Sequence, residues 1–284
     1  MLFFAPAGHN LAAMLRPGKT IGKYRIQRRL GTGGFATVYR ALDTVEGIHV
    51  ALKIPHPNFL RPESLGDFRR EIRIAARLDH PNILPIKNAE VYDGHLVVAY
   101  PLGTGTLDDR LRKRISTAKC LLFAEQILEA LAYAHWRRIV HCDVKPENFI
   151  LFPDDVLRLT DFGIAKVVLR TRSASGSGTI GYVAPEQAMG RPSFRSDVFS
   201  AGLVLYRMFS GYLPGWPFRR PFPGSATLRR KVPSVFVDVL HRALHVNDRR
   251  RFADAGRMLE AFERTLPAVE RFQKRARSRR RRRR

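Results

Sequence analysis

The sequence predicts an α+β fold of two lobes: a small β-rich N-terminal lobe with one main helix, and a larger, mostly helical C-terminal lobe. Three observations predict it. Residues 24–102 alternate short β-rich runs with glycine-containing turns. From residue 117 onward, apolar residues recur at i, i+3, i+4 spacing. A glycine-containing linker near residues 102–105 separates the two regimes.

The elements follow in order. Residues 1–20 read as a loosely ordered arm. The N-terminal lobe, about 21–101, opens with three strands: YRIQRRL (24–30), ATVYRALD (36–43) and HVALKI (49–54). A helix is expected over 63–78, where Phe68, Ile72, Ala75 and Ala76 share one face. Pro81 then ends it, because the residue before a proline is biased away from helix. Two more strands are expected around ILPIKNAEVY (83–92) and HLVVAY (95–100). The C-terminal lobe, about 106–266, carries a long core helix at 117–137 and further helices at 197–211, 234–246 and 253–266. Residues 267–284 form a basic tail.

Composition removes several classes of protein. At 284 residues and 45% apolar content the chain can bury a proper core, so global disorder is excluded. Two cysteines, Cys120 and Cys142, are too few for a disulfide framework and fit a reducing, cytoplasmic setting. The longest apolar stretch, Phe199 to Leu213, is interrupted by Arg207 and is too short to cross a bilayer, so no transmembrane segment is expected. The first fifteen residues lack the basic start of a signal peptide. Net charge is +25, and residues 271–284 contribute nine Arg and one Lys without an acid, leaving about +15 on the body. Such a run repels itself and is expected to be disordered, either as a solvated tail or as a contact for a polyanion: nucleic acid, anionic lipid or acidic protein.

Seven stations carry candidate chemistry. The first is Leu30-Gly31-Thr32-Gly33-Gly34-Phe35-Ala36-Thr37-Val38, between two strand patterns; it fits a plain turn or a loop whose backbone N–H groups approach a polyphosphate. Gly18-Lys19-Thr20 is not a P-loop, since Ala13 replaces the required glycine. The second is Lys53 inside the apolar strand Val50 to Ile54, a cation that either pairs with Glu71 on the following helix or snorkels at a sheet edge. The third is His141-Cys142-Asp143-Val144-Lys145-Pro146-Glu147-Asn148, and the fourth is Asp161-Phe162-Gly163. The fifth is Ala184-Pro185-Glu186, preceded by Gly178-Thr179-Ile180-Gly181-Tyr182. Asp197-Val198-Phe199-Ser200-Ala201-Gly202 and Arg251 complete the series.

In this order and spacing the stations resemble the protein kinase family, over residues 24 to about 266. The K-P-E-N run at Lys145–Asn148 and the G-T-x-x-Y before A-P-E look like the serine/threonine branch. The compact layout and the A-x-D at Ala41 to Asp43 look like the eukaryotic-like kinases of bacteria. The fold implied is the bilobal protein-kinase-like fold, and the activity implied is transfer of the γ-phosphoryl group of Mg·ATP to serine or threonine hydroxyls of proteins.

The resemblance also implies roles. Gly31 and Gly33, with Thr32 and Gly34 in the same loop, would cover the phosphates. Lys53 would hold the α- and β-phosphates, its direction fixed by Glu71. Asp161 and Asn148 offer oxygen ligands for Mg²⁺, with Mn²⁺ as an alternative. Asp143 would accept or orient the substrate hydroxyl proton, Lys145 would neutralise the transferring phosphate, and Thr179 would brace both. Leu30, Val38 and Ala51 would wall the adenine above and Ile150 below. Pro101 has no N–H, so the linker donor falls at Leu102 or Gly103 and the gatekeeper at Ala99 or Tyr100. Glu186 would pair with Arg251, Asp197 would hydrogen-bond the catalytic-loop backbone, and His141 would be a packed core residue.

Cys142 stands where many kinases have an arginine that binds a phosphorylated activation segment. It is expected to be a small buried side chain, and activity is expected to depend less on that phosphorylation, although Thr171, Ser173, Ser175 and Ser177 remain candidate autophosphorylation sites. Two other readings stand beside the enzyme: a pseudokinase that binds ATP or a partner without catalysis, and a nucleic-acid-associated protein acting through its arginine tail.

Overall fold

The computed structural model describes residues 15–34, 36–56, 72–162 and 180–281. The chain divides into two compact units, one made of the residues up to Arg77 together with Leu84–Gly103, the other of Leu78–Ile83 with Thr104–Arg284. The first unit is β-rich and the second mostly helical, and Leu78–Ile83 group with the helical unit. They do so because Leu78 and Ile83 are buried in its core and Asn82 donates to the Leu157 carbonyl at 2.9 Å.

The first unit is a six-stranded antiparallel sheet in the order β1-β2-β3-β4-β6-β5. Its strands are β1 Thr20–Ile21, β2 Tyr24–Thr32, β3 Ala36–Asp43, β4 Ile48–Pro55, β5 Asn88–Tyr92 and β6 His95–Pro101. Alternation decides which face is buried. In β4, Val50, Leu52 and Ile54 are buried while Ala51 and Lys53 between them are only partly so. Those three join Tyr24, Ile26, Tyr39, Ala41, Val97 and Ala99 in one core, which also takes Leu15. Leu15 and β1 lie at the end of the expected arm, so ordered packing begins before residue 21. The strand expected over 83–92 starts only at Asn88. The expected helix is present over residues 72–75, where Ile72 packs against Leu96 and Val98; its earlier residues lie outside the described ones.

The second unit combines a small sheet with eight α-helices among its described residues. The sheet is β7 Gly105–Thr106, β8 Phe149–Leu151 and β9 Leu157–Leu159. The helices are α1 Leu107–Leu111, α2 Thr117–Trp136, α3 Pro185–Ala188, α4 Phe194–Ser210, α5 Ser225–Lys231, α6 Ser234–Ala243, α7 Ala255–Glu263 and α8 Leu266–Arg281. Side-chain oxygens satisfy the first orphan N–H groups of three of them: Thr106 at α1, Ser116 at α2 and Asp254 at α7. α4 is buried almost throughout, and it ends at Gly211, whose φ of 85° is the left-handed conformation that glycine adopts without strain. At Gly202 a Cβ would stand 3.0 Å from the Ala243 Cβ, so only glycine lets α4 lie this close to α6.

The tail corrects an expectation. Residues 267–281 continue as helix α8 rather than as a disordered segment. Val269, 1% exposed, docks the first turns on the core, and the N–H groups of Ala268 and Val269 both donate to the Thr265 carbonyl. Once that turn is nucleated, arginine is a good helix former and propagates it.

Candidate active site

In the first unit, β2 and β3 form the hairpin that carries the glycines. Gly31 pairs with Val38 and Thr32 with Thr37, and the Gly33 N–H donates to the Ala36 carbonyl at 2.9 Å. None of Gly31, Gly33 and Gly34 has the positive φ that would require glycine for the turn itself. Nor would a Cβ at Gly31 or Gly34 meet any atom of the described residues within 4 Å. The turn alone therefore does not require the three glycines, and the backbone there is open to close approach. Thr32, Gly33 and Gly34 are exposed, Leu30 is 39% exposed and Val38 is half-buried. Phe35 lies outside the described residues.

Lys53 on β4 is half-buried and sits directly across from Val38 on one side and Val98 on the other. Glu71, its expected partner, lies outside the described residues. Cross-strand partners share a face, so the Lys53 and Ala51 face of β6 consists of Val98 and Tyr100, while Ala99 pairs with Leu52 and turns into the core. Of the two gatekeeper candidates, Ala99 is thereby ruled out. Val98, which sequence reasoning missed, is the β6 side chain opposite Lys53. Tyr100, the other candidate, shares that face two residues on, as strand alternation requires. β6 closes on Pro101, and Leu102 and Gly103 follow as irregular backbone.

In the second unit the catalytic-loop candidates are built on a carboxylate. Asp197, buried near the start of α4, accepts the His141 N–H on Oδ2 at 2.7 Å and the Cys142 N–H on Oδ1 at 2.8 Å. This holds Cys142 at φ 64°, a strained setting for a non-glycine residue. Asp197 is itself oriented by His135, a residue that sequence reasoning did not single out. His135 Nδ1 accepts the Ala255 N–H at 2.9 Å, so its proton sits on Nε2 and is donated to Asp197 Oδ2 at 3.0 Å. His141 works by the same logic. Its Nδ1 accepts the Asp143 N–H at 3.2 Å, and its Nε2 donates to the Thr160 carbonyl at 2.9 Å. It is fully buried and meets the Phe162 ring edge-on at 4.8 Å. His141 thus ties the 141–148 loop to the strand end that carries Asp161, a packing role as expected.

Three functional side chains converge here. Lys145 Nζ donates to Asp143 Oδ2 at 2.7 Å, and Asn148 Nδ2 donates to Asp143 Oδ2 at 3.0 Å and to the Asp143 carbonyl at 2.7 Å. Both side chains of the ion pair remain partly exposed, at 21% and 25%. With its amide nitrogen spent on Asp143, Asn148 has Oδ1 left as a hard acceptor. Asp161 adds a carboxylate at φ 67°, its Oδ1 3.4 Å from the Thr160 hydroxyl. An amide oxygen and a carboxylate suit Mg²⁺, which uses few protein ligands and completes its shell with water and phosphate. Among the described residues no cluster of three or more His, Cys, Asp or Glu is grouped to hold a metal by itself. Ile150, half-buried on β8, pairs with Thr106 of β7.

The segment after residue 179 is anchored to α4 and α1. The Ser200 hydroxyl donates to the Tyr182 carbonyl at 2.6 Å. Arg207 Nη1 donates to the Tyr182 hydroxyl at 2.7 Å and to Asp108 at 2.8 Å, and Arg112 reaches the same carboxylate at 3.1 Å. Burial pushes the Tyr182 phenol up to about 12 against the opposing pull of Arg207. Burial also acts to raise the Asp108 carboxyl, but the hydrogen bonds from Arg207 and Arg112 prevail and hold it below the usual carboxylate range. Glu186 takes a bidentate pair of bonds from Arg251, at 2.8 and 2.9 Å. Gln187 donates to the Cys142 carbonyl. Cys142 is half-buried rather than buried: the bonds from Asp197 and Gln187 hold its own N–H and carbonyl, and its side chain is not part of the core. Gly163, Thr171, Ser173, Ser175, Ser177, Gly178 and Thr179 lie outside the described residues.

The sequence matches the protein kinase domain over residues 24–253. It is 38% identical over 228 residues to the serine/threonine-protein kinase PknA of Mycobacterium tuberculosis, covering 75% of this chain and 51% of the relative. It is 37% identical over 201 residues to a probable serine/threonine-protein kinase of Clostridium acetobutylicum, covering 68% of this chain and 30% of the relative. The chain therefore spans about a third to a half of the length of these curated relatives. The crystal structure of the Mycobacterium tuberculosis PknI kinase domain superposes with a TM-score of 0.69 at 28% identity, covering 88% of this chain and 99% of that one.

Proposed function

The chain belongs to the protein kinase family, and from that premise we propose that it transfers the γ-phosphoryl group of Mg·ATP to serine and threonine hydroxyls of other proteins. The observation that carries this reading is the bonded set Asp143, Lys145 and Asn148 on the brace of Asp197. Phosphoryl transfer asks little covalent work of a protein; it asks for position and for charge placed where charge develops. Asp143 Oδ2 is the base that orients the acceptor hydroxyl and takes its proton. Lys145, already bonded to that oxygen, neutralises the transferring group. Asn148 Oδ1 and Asp161 would hold Mg²⁺, or Mn²⁺ in its place, which when bound screens the phosphate oxygens. Lys53 with Glu71 holds the α- and β-phosphates, the Gly31–Gly34 loop covers them, and Thr179 braces Asp143 and Lys145. The adenine lies against Leu30, Val38, Ala51 and Ile150, with Leu102 as the linker donor and Val98 beside it.

Cys142 replaces the usual phosphate-binding arginine, while the loop itself is held by Asp197, His135 and Gln187. Activity accordingly depends little on phosphorylation of Thr171, Ser173, Ser175 or Ser177. No described helix is long and apolar enough to cross a membrane, and a cytoplasmic setting is part of the same reading.

The test is incubation with labelled Mg·ATP and a generic protein substrate beside D143N. Loss of the base should lower the rate on the order of 10²–10⁴-fold, and phosphoamino-acid analysis of the product should show serine or threonine. Label transfer by D143N at the wild-type rate would defeat the assignment, and ATP binding without transfer would make the chain a pseudokinase.

A further inference from the structure

We propose that helix α8 is a docking rod for duplex nucleic acid, read through its phosphates and not its bases. The helix is fixed at its root: Val269 is 1% exposed in the core, and Thr265 caps the turn before it. At helical spacing Arg271, Lys274, Arg275 and Ser278 share one face, away from Val269 and Ala276, and all four are exposed. No acid follows Glu270, and residues 271–281 hold seven cations.

What α8 lacks selects the partner. A helix that lies in a membrane surface needs an apolar face to insert. Here Leu266 and Val269 are used against the core, Phe272 is half-buried, and only Ala276 follows it. A single-strand binder stacks bases on aromatic rings, and α8 carries no aromatic residue beyond Phe272. Phosphate contact is what remains, and the duplex is the partner with the densest phosphates. It carries a charge per roughly 1.7 Å of axis, while a helix rises about 1.5 Å per residue, so the segment from 271 to 281 spans about 15 Å and faces on the order of nine phosphates. The exposed face answers three of them with Arg271, Lys274 and Arg275. Such binding is indifferent to sequence and steep in salt.

The experiment uses the full chain without nucleotide, so that its outcome is independent of kinase activity. Fluorescence anisotropy with two unrelated 20-base-pair duplexes is followed from 50 to 200 mM salt. Equal affinity for both duplexes is expected. In R271Q/K274Q/R275Q the log–log salt slope should be shallower by about 2 to 3, near 0.9 per lost contact. These residues are exposed and outside the catalytic set, so phosphotransfer should not change. An unchanged slope in the triple variant would assign binding to the basic body and overturn the proposal. So would failure to bind duplex, or retention on vesicles containing phosphatidylglycerol with the duplex left unbound.

Discussion

Removing Arg251 should destabilise the helical unit more than removing any surface arginine. All five guanidinium N–H donors are used: Nε on the His245 carbonyl at 2.6 Å, Nη1 on Glu186 at 2.8 Å and the Arg195 carbonyl at 2.9 Å, Nη2 on Glu186 at 2.9 Å and the Val246 carbonyl at 3.1 Å. The charge also lies 4.4 Å from the Phe199 ring centroid, and the side chain is 0% exposed against 12% for Glu186. R251A strips the Glu186 carboxylate of its guanidinium, leaving it the Ser196 hydroxyl at 2.7 Å, and takes a donor from the carbonyls of Arg195, His245 and Val246. Breaking one partner of a buried pair costs about 3–5 kcal/mol, and at roughly 2–4 °C per kcal/mol for a chain of this size Tm should fall about 6–20 °C. R251K restores the charge but not the fork and should recover less than half of the loss. The control is R257A, whose pair with Glu260 has side chains 67% and 49% exposed and should cost no more than about 1 kcal/mol. Calorimetry of the three variants decides the matter. If R251A melts within 2 °C of R257A, a limit set from the same scale, the pair does not hold this part of the fold.

Other outcomes follow from the same coordinates. G202A should cost about 1–3 kcal/mol by overpacking α4 against α6, whereas G31A, with open space at its Cβ, should leave denaturant stability alone and raise the KM for ATP; equal stability losses would contradict this division. The Asp108 carboxyl is held below its usual range, so its stabilisation is present above the unfolded value of about 3.9 and is lost as pH falls through the folded value. D108N should therefore flatten the acid limb of a urea midpoint-versus-pH curve while lowering the midpoint at pH 7, and parallel curves would refute the coupling. Replacing Thr171, Ser173, Ser175 and Ser177 together by alanine should leave most phosphotransfer activity; near-total loss would show that Cys142 does not free the enzyme from that control.

Much of this was readable in residue order because local chemistry and tertiary contacts agree. Val50, Leu52 and Ile54 alternate with Ala51 and Lys53, and the strand buries the first set. Asp143, Lys145 and Asn148 lie within six residues, so their convergence is nearly local. The misses have physical causes. β1 is two residues long and carries no periodicity. α5 hides in a Pro-, Gly- and Arg-rich stretch because one buried residue, Leu228, anchors it. α8 depends on Val269 finding the core, which charge counting cannot foresee. His135 acts through Ala255, 120 residues away in sequence, and its imidazole reads like any other helical histidine until the fold closes. Val98 was missed because a strand end fixes no register.

The proline that closes β6 bears on pharmacology. Pro101 sits in register with Val50 and offers a carbonyl but no N–H. Compounds that mimic adenine by accepting a hydrogen bond from the backbone at this position would find no donor there. On the proposed reading the Leu102 N–H, one residue on, is the donor that remains, and an inhibitor screen against this chain should favour scaffolds that reach it.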